Sequence, residues 1–245
     1  MKNDLKENER IEEIGFGGLK LIQNPDGFCY GIDAVILAKF CTIKKGDIVV
    51  DLGTGTGIIP IILSCTEAEK IWGIEIQKEV AEMAQRSIEL NGLQDRIHIV
   101  NMDMKNISDQ FQKNSADVVV SNPPYVKYGS GLIGQQSIKT RSRHETDISL
   151  EEVIQTACYL LKEKGDFYLV HRPYRLVDIL WHCRQFRLEP KTIRFVYPKA
   201  GREPNIVLLH CVKYGNPELK FMPPLYVYQD DGDYTKDIYK IYEKK

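Results

Sequence analysis

No apolar stretch in this chain approaches the roughly 20 residues of a membrane-spanning helix; the longest, Ala34 to Ala38 and Ile58 to Leu63, suit a buried core. The opening residues, MKNDLKENERIEE, are charged throughout and hold neither the apolar centre of a secretory leader nor an anchor. A cytoplasmic protein with no membrane partner is expected. Cysteine is scattered: Cys29, Cys41, Cys65, Cys158, Cys183 and Cys211 form no C-x-x-C and have no nearby histidine pair. They read as small buried hydrophobes in a reducing compartment, and no metal site is expected. Neither sign of charge dominates, for 33 Lys and Arg face 34 Asp and Glu and leave a net charge of -1. Within that balance, Arg172 to Arg202 holds eight cations against Asp178 and Glu189, the pattern of a protein that meets a polyanion with one face.

At 245 residues, 43% hydrophobic and 27% charged, the chain has room for one large α/β domain with small additions. Residues 1–13 read as frayed, and 14–24 as a short strand or hairpin. In FCYGIDAVILAKF, Asp33 precedes an apolar run at helical spacing and is expected to be its N-cap. DIVVD (47–51) is a buried strand running into Gly53-Thr54-Gly55-Thr56-Gly57, after which IIPIILS begins an apolar helix. KIWGIEI (70–76) is the second strand, 77–90 a helix stopped by Asn91-Gly92, and 96–100 the third strand, with Asp103 just beyond it.

The fourth strand is ADVVVS (116–121), whose valine run suits a parallel strand covered on both faces. It meets Asn122-Pro123-Pro124-Tyr125, where two prolines remove two amide donors and hold Asn122 extended. That loop offers the Asn122 side-chain oxygen, the Pro123 carbonyl and the Tyr125 ring. Two oxygens and an aromatic face can hold a flat amino group. Residues 126–148 are rich in glycine and serine and show no apolar period, the signature of a functional loop. A helix over 150–161, a strand over 166–170, a helix over 173–186 and antiparallel strands over 192–197 and 206–212 follow. The tail reads as an extended PPLYVYQ segment, an Asp231-Gly232 turn and a helix from Thr235. Three parts are expected: a 1–45 extension whose helix covers a cofactor, a 46–214 domain, and a 215–245 tail.

Alternating strands and helices give a doubly wound, mostly parallel sheet whose ligands lie beyond the carboxyl ends of the strands. Asp51, Gly53, Gly55, Gly57, Glu75, Asp103 and Asn122 all fall there, as a nucleoside lying across the sheet requires. Glu75, 22 positions after Gly53, is placed to hold both ribose hydroxyls. Ile58 stands where a pyrophosphate fingerprint needs its third glycine, so a cofactor without phosphates fits better. S-adenosylmethionine is such a cofactor.

DLGTGTG, the acid of GIEI and NPPY, in this order, resemble the class I S-adenosylmethionine-dependent methyltransferases that act on an amino nitrogen. NPPY is shared by adenine N6-methyltransferases and by the glutamine methyltransferases of release factors. FCYGIDAVILAKF and the tyrosine-rich end resemble the family of tRNA adenine N6-methyltransferases that modify a valine tRNA beside its anticodon, over roughly Leu19 to Tyr242. The resemblance implies a Rossmann-like, mostly parallel seven-stranded sheet with an antiparallel final hairpin. It implies a catalytic loop of Asn122, Pro123, Pro124 and Tyr125. S-adenosyl-L-methionine would be held by Tyr30, Asp33, Asp51, Gly53, Gly55, Gly57, Glu75, Ile76, Asp103, Met104 and Asn122. The partner would be tRNA, gripped by Lys127, Lys139, Arg141, Arg143, Arg172 and Arg175. Two alternatives stand beside this: a protein glutamine N5-methyltransferase, for which only about 45 residues are available before the first strand, and a silent RNA-binding scaffold.

Overall fold

A computed structural model describes residues 5–27, 29–125 and 148–243. The β-branched runs become strands because each can bury both faces between helices. Before them, β1 (Arg10–Glu13) and β2 (Lys20–Gln23) pair as an antiparallel hairpin. Residues 10–13 are therefore ordered and not frayed: Glu9 makes two contacts of 2.6 Å with the Arg86 guanidinium, which pins the hairpin's approach.

Helix α1 (Ile32–Phe40) follows, with Ala34 to Ala38 all buried. Its N-cap is Gly31, with no side-chain cap; Asp33 lies inside the first turn, which corrects the expected capping role. Then come β3 (Ile48–Leu52), α2 (Ile58–Leu63), β4 (Lys70–Glu75), α3 (Lys78–Leu90), β5 (Ile97–Asn101) and β6 (Ala116–Ser121). Every residue of α2 is buried, so a helix of only six residues persists through packing and not through propensity.

The second half runs through α4 (Leu150–Leu160), β7 (Leu161–His171), α5 (Leu176–Gln185), β8 (Leu188–Tyr197) and β9 (Ile206–Lys213). Ser149 and Glu152 close α4 at its start as a capping box. Strand β7 begins directly at the end of α4, five residues earlier than the valine and tyrosine pattern suggested, across a register break opposite Ala116 and Val118. The helix expected from Pro173 starts as a 3-10 turn, Pro173–Arg175, before α5.

The sheet order is β8-β9-β7-β6-β3-β4-β5, parallel except for β9. These are the seven expected strands with their antiparallel final pair. The tail adds β10 (Lys220–Phe221) and β11 (Leu225–Tyr226), both parallel to β8, so the sheet counts nine strands. Helix α6 (Lys236–Ile241), capped by Thr235, ends the described chain. One buried cluster joins α1, α2 and Ile238 of α6 to one face of the sheet, and a second joins α4 and α5 to the other. Each buried Val, Leu or Ile there stabilises the fold by about 1.5–3 kcal/mol. Among the described residues, no helix is long and apolar enough to cross a membrane. Cys183 and Cys211 are buried as expected, but Cys29 and Cys65 are exposed.

A buried cation fastens the sheet to α4. Lys213, 2% exposed, spends all three ammonium protons on Asn114 Oδ1 (2.8 Å), Cys158 O (2.6 Å) and Leu161 O (2.7 Å). The two carbonyls belong to the carboxyl end of α4, where the helix dipole favours positive charge. Lys213→Met keeps the stem but leaves three acceptors without a donor. We expect a loss of roughly 2–4 kcal/mol in urea unfolding; an unchanged midpoint would show that the ammonium is dispensable.

Candidate functional site

The order of strands reverses between β3 and β6, and the register sets Leu52 beside both Ile74 and Ser121. The chain leaves β3 through a turn in which Gly53, Gly55 and Gly57 take φ of 75°, 58° and 85°. Side chains strain in that left-handed region, so glycine is required. At Gly57 a Cβ would also stand 3.3 Å from Ala84 Cβ, so its absence lets α3 pack against the turn. The amides of Gly53 and Thr54 both donate to Ile74 O, at 3.0 and 2.9 Å.

Glu75 is 6% exposed and is held at both oxygens: Oε2 accepts from Gly55 N and Oε1 from Gln77 N, each at 2.9 Å. Burial raises its pKa, and these amides oppose the rise. Each oxygen keeps a further lone pair for a ligand hydroxyl. Asp51 is fully buried, and neither of its oxygens has a hydrogen-bond partner. Burial pushes its pKa up to about 7, the Thr54 hydroxyl opposing from outside hydrogen-bonding geometry and the Glu75 charge adding. The hydroxyls of Thr54 and Thr56 are buried without partners as well. Buried polar groups are normally satisfied. An acid and two hydroxyls without partners beside a glycine turn fit a ligand with a cationic, hydrogen-bonding end, such as the amino-acid part of S-adenosylmethionine.

The remaining cofactor candidates fall around this turn in different ways. Met104 reaches it, its Cε 4.0 Å from where a Gly53 Cβ would be. Ile76 is 41% exposed at the end of β4, an apolar side chain left open at a strand edge. Asp103 caps the 3-10 turn Met104–Asp109 by accepting from Lys105 N at 2.9 Å, its bland role. Tyr30 is tied to the hairpin, its amide donating to Gln23 Oε1 at 3.0 Å. Asn101 was missed: its Nδ2 donates to the carbonyls of Glu75 and Ile76, both at 2.9 Å, and shapes the end of β4. A lone asparagine at a strand end gives no sequence signal for this.

Beyond Ser121 the NPPY loop begins, with Asn122 half-buried, Pro123 buried and Pro124 exposed. Tyr125 turns back, its hydroxyl 3.0 Å from Asp33 Oδ2 and 2.9 Å from the Asn122 side-chain amide. Burial, then the Asp33 charge, raises its pKa, so the phenol stays neutral. The Arg172 guanidinium lies 4.3 Å from the ring centre, and His171 meets the ring edge-on at 5.2 Å. Arg172 also donates to Asn205 O at 2.9 Å and stands 3.9 Å from Asp33 Oδ2. His171 is lowered to about 4 by burial and by the charges of Arg175 and Arg172; its Nδ1 accepts from Arg172 N at 2.8 Å, which puts its proton on Nε2.

Asp33 thus touches the NPPY loop. Arg172 and Arg175 lie just past the carboxyl end of β7, at the edge where β6 also ends, and Arg175 is paired with Asp178 at 2.7 Å. Lys127, Lys139, Arg141 and Arg143 lie outside the described residues. Tyr174 in the 3-10 turn between Arg172 and Arg175, and Val177 and Trp181 one turn apart on α5, are 58%, 79% and 57% exposed. The core face of that helix was readable from Ile179 and Cys183, so the outer strip could have been found by complement. Among the described residues, no group of three or more His, Cys, Asp or Glu could hold a metal ion.

A family model described as ribosomal protein L11 methyltransferase matches residues 34–123. That span holds the glycine turn, Glu75 and the start of NPPY. Curated relatives include tRNA1(Val) (adenine(37)-N6)-methyltransferases from Tolumonas auensis, 26% identical over 73% of this chain and 74% of that one, and from Porphyromonas gingivalis, 31% identical over 64% and 62%. Among solved structures, a predicted O-methyltransferase from Agrobacterium tumefaciens matches with a TM-score of 0.70 at 22% identity, over 86% of this chain and 95% of that one. A geranyl diphosphate C-methyltransferase from Streptomyces coelicolor matches with a TM-score of 0.54 at 13% identity, over 74% and 78%. The fold is that of the Rossmann-like class I methyltransferases, and the sequence is similar to tRNA1(Val) (adenine(37)-N6)-methyltransferases over up to about three quarters of the chain.

Proposed function

We propose that this protein is an S-adenosylmethionine-dependent methyltransferase that methylates the exocyclic N6 of an adenine in tRNA, beside the anticodon of a valine tRNA. The observation that carries this is the NPPY loop at the end of β6, one strand away from a buried Asp51 with no partner. The first element offers acceptors to an amino group, and the second a charge to a cationic ligand. The names of the curated relatives support the same substrate.

When bound, the cofactor supplies an electrophilic methyl. Asp51 would hold its ammonium, the lone pairs left on Glu75 its ribose hydroxyls, and Ile76 and Met104 the flat faces of its base. Asn122 and the Pro123 carbonyl would accept the two hydrogens of the target amine, so that its lone pair is left free to attack. Positive charge that develops on N6 is met by the same oxygens, which are already oriented. The neutral Tyr125 ring would stack on the adenine, most easily on a base already outside a duplex. Arg172 and Arg175, with Lys127, Lys139, Arg141 and Arg143, would meet RNA phosphates. Tyr174, between the two described arginines, and Trp181 farther along α5 add exposed rings, a combination that suits single-stranded RNA.

Three measurements test this reading. Asn122→Ala should nearly abolish methyl transfer to tRNA while leaving cofactor affinity within a few-fold, since it removes an acceptor for the amine only; full turnover would dismiss the catalytic loop. Glu75→Ala should weaken cofactor binding by about 1–3 kcal/mol in a calorimetric titration, and equal affinity would move the ribose elsewhere.

Asp51 carries the third. Its folded pKa, about 7, lies above the ordinary aspartate value. Between pH 4 and 7 the folded state therefore holds more protons than the unfolded one, and stability falls as pH rises through that window. Asp51→Asn cannot ionise. It should melt with the parent near pH 4 and be more stable by roughly 2–4 kcal/mol at pH 8 without cofactor, while binding S-adenosylmethionine more weakly. Identical melting of the two proteins at pH 8 would remove the buried charge from the account.

A further inference from the structure

The Tyr125 hydroxyl has two oxygen neighbours at hydrogen-bonding distance, Asp33 Oδ2 at 3.0 Å and Asn122 Oδ1 at 2.9 Å. A phenol carries one proton and cannot donate to both. The carboxylate is the charged and stronger acceptor, so it takes the proton. The phenol oxygen then faces the Asn122 amide as an acceptor, which it satisfies only if Nδ2, and not Oδ1, points at it. A half-turn about the terminal torsion exchanges the two atoms without changing the outline of the side chain. We propose that Asp33, Tyr125 and Asn122 form a directed relay that fixes the amide so that its Oδ1 faces the target amine. This rests on the adenine N6 reading and makes Asp33 a positioning residue, in place of the cofactor contact expected for it.

The direction of the relay is set at its far end. Asp33 sits in the first turn of α1, directly before Ala34 to Ala38, which are all buried, so its backbone has little freedom. Its carboxylate also stands 3.9 Å from the Arg172 guanidinium, an ion pair in which the carboxylate oxygens only accept. Without Asp33 the phenol has one acceptor left, and its proton goes to Asn122 Oδ1. The amide would then present Nδ2 to the substrate, donor against donor. The hydroxyl that orients Asn122 in the parent would misdirect it in the variant.

That reversal gives a test that a merely structural role does not pass. Asp33→Ala should lower single-turnover kcat on tRNA by roughly 10- to 100-fold with KM for tRNA little changed. Tyr125→Phe, which keeps the ring and frees the amide, should cost less. The double variant should recover to the Tyr125→Phe level, a rescue by removal of a second polar atom. Double-variant activity equal to or below that of Asp33→Ala would overturn the relay. A second readout needs no turnover: the Asn122 side-chain amide protons in a 15N spectrum, assigned by their loss in Asn122→Asp, should include one hydrogen-bonded proton that shifts upfield in Tyr125→Phe. A spectrum unchanged by Tyr125→Phe overturns the relay whatever the substrate. Transfer by the parent to a glutamine peptide and not to tRNA, with that shift present, would refute the adenine reading alone.

Discussion

Where β3 and β6 end, the Ser121 hydroxyl donates to Leu52 O at 2.9 Å, and the rest of the site depends on that juncture. The two strands are in parallel register from Val49 opposite Val118 to Leu52 opposite Ser121. Their chains must leave the sheet at one level, the glycine turn from β3 and the NPPY loop from β6. Parallel strands whose crossovers run to opposite sides open a crevice at that point. The glycine turn and the NPPY loop share one location because one strand pair delivers both.

The turn also depends on what lies beneath it. Gly73, in the middle of β4, leaves no room for a side chain: a Cβ there would stand 2.8 Å from Ile99 Cδ1 and 2.9 Å from Thr54 Cγ2. Thr54 therefore sits directly on the sheet, and the turn is pulled low over the strand ends. The stability given up in this region, through left-handed glycines and a buried acid without a partner, is offset at the far edge. Arg96 spreads its guanidinium over the carbonyls of Ser64 (2.9 Å), Thr66 (2.9 Å) and Ala68 (2.8 Å) just after α2, where a cation also meets the helix dipole favourably.

The strands and the strand-end residues were legible because periodicity and turn chemistry are local. Val118 to Val120 could only be a buried strand, and Gly53-Thr54-Gly55-Thr56-Gly57 could only be a turn. What escaped was set by distant contacts. Nothing in MKNDLKENERIEE says that Glu9 will find Arg86, 77 residues later, and order the hairpin. Asp33 looked like a cap because capping is its commonest local use; its partner lies 92 positions away on a loop. Lys213 stands just past the strand expected over 206–212, and only the carbonyls at the carboxyl end of α4 together with Asn114 turn it inward. Of the tail strands, β11 falls inside the extended PPLYVYQ segment, while β10 was missed because a two-residue pairing with β8 is too short for any period to register.

Proline is what makes the NPPY loop need an outside anchor. Pro123 and Pro124 fix their φ angles but have no amide to bond to the sheet, so the loop is stiff internally and weakly attached. Its attachment comes from side chains. The Tyr125 hydroxyl reaches Asp33 on α1, the ring is covered by Arg172 at the end of β7, and Arg172 is itself tied to Asn205 O at 2.9 Å, just before β9. Two segments, one from each half of the chain, thus meet at one residue of the loop, and a third braces Arg172. Helix α1, apolar and buried apart from its ends, carries a carboxylate at the one place where it can reach that loop. The helix that precedes the parallel sheet is therefore part of the site: it supplies the fixed acceptor that an amide-poor loop cannot supply for itself.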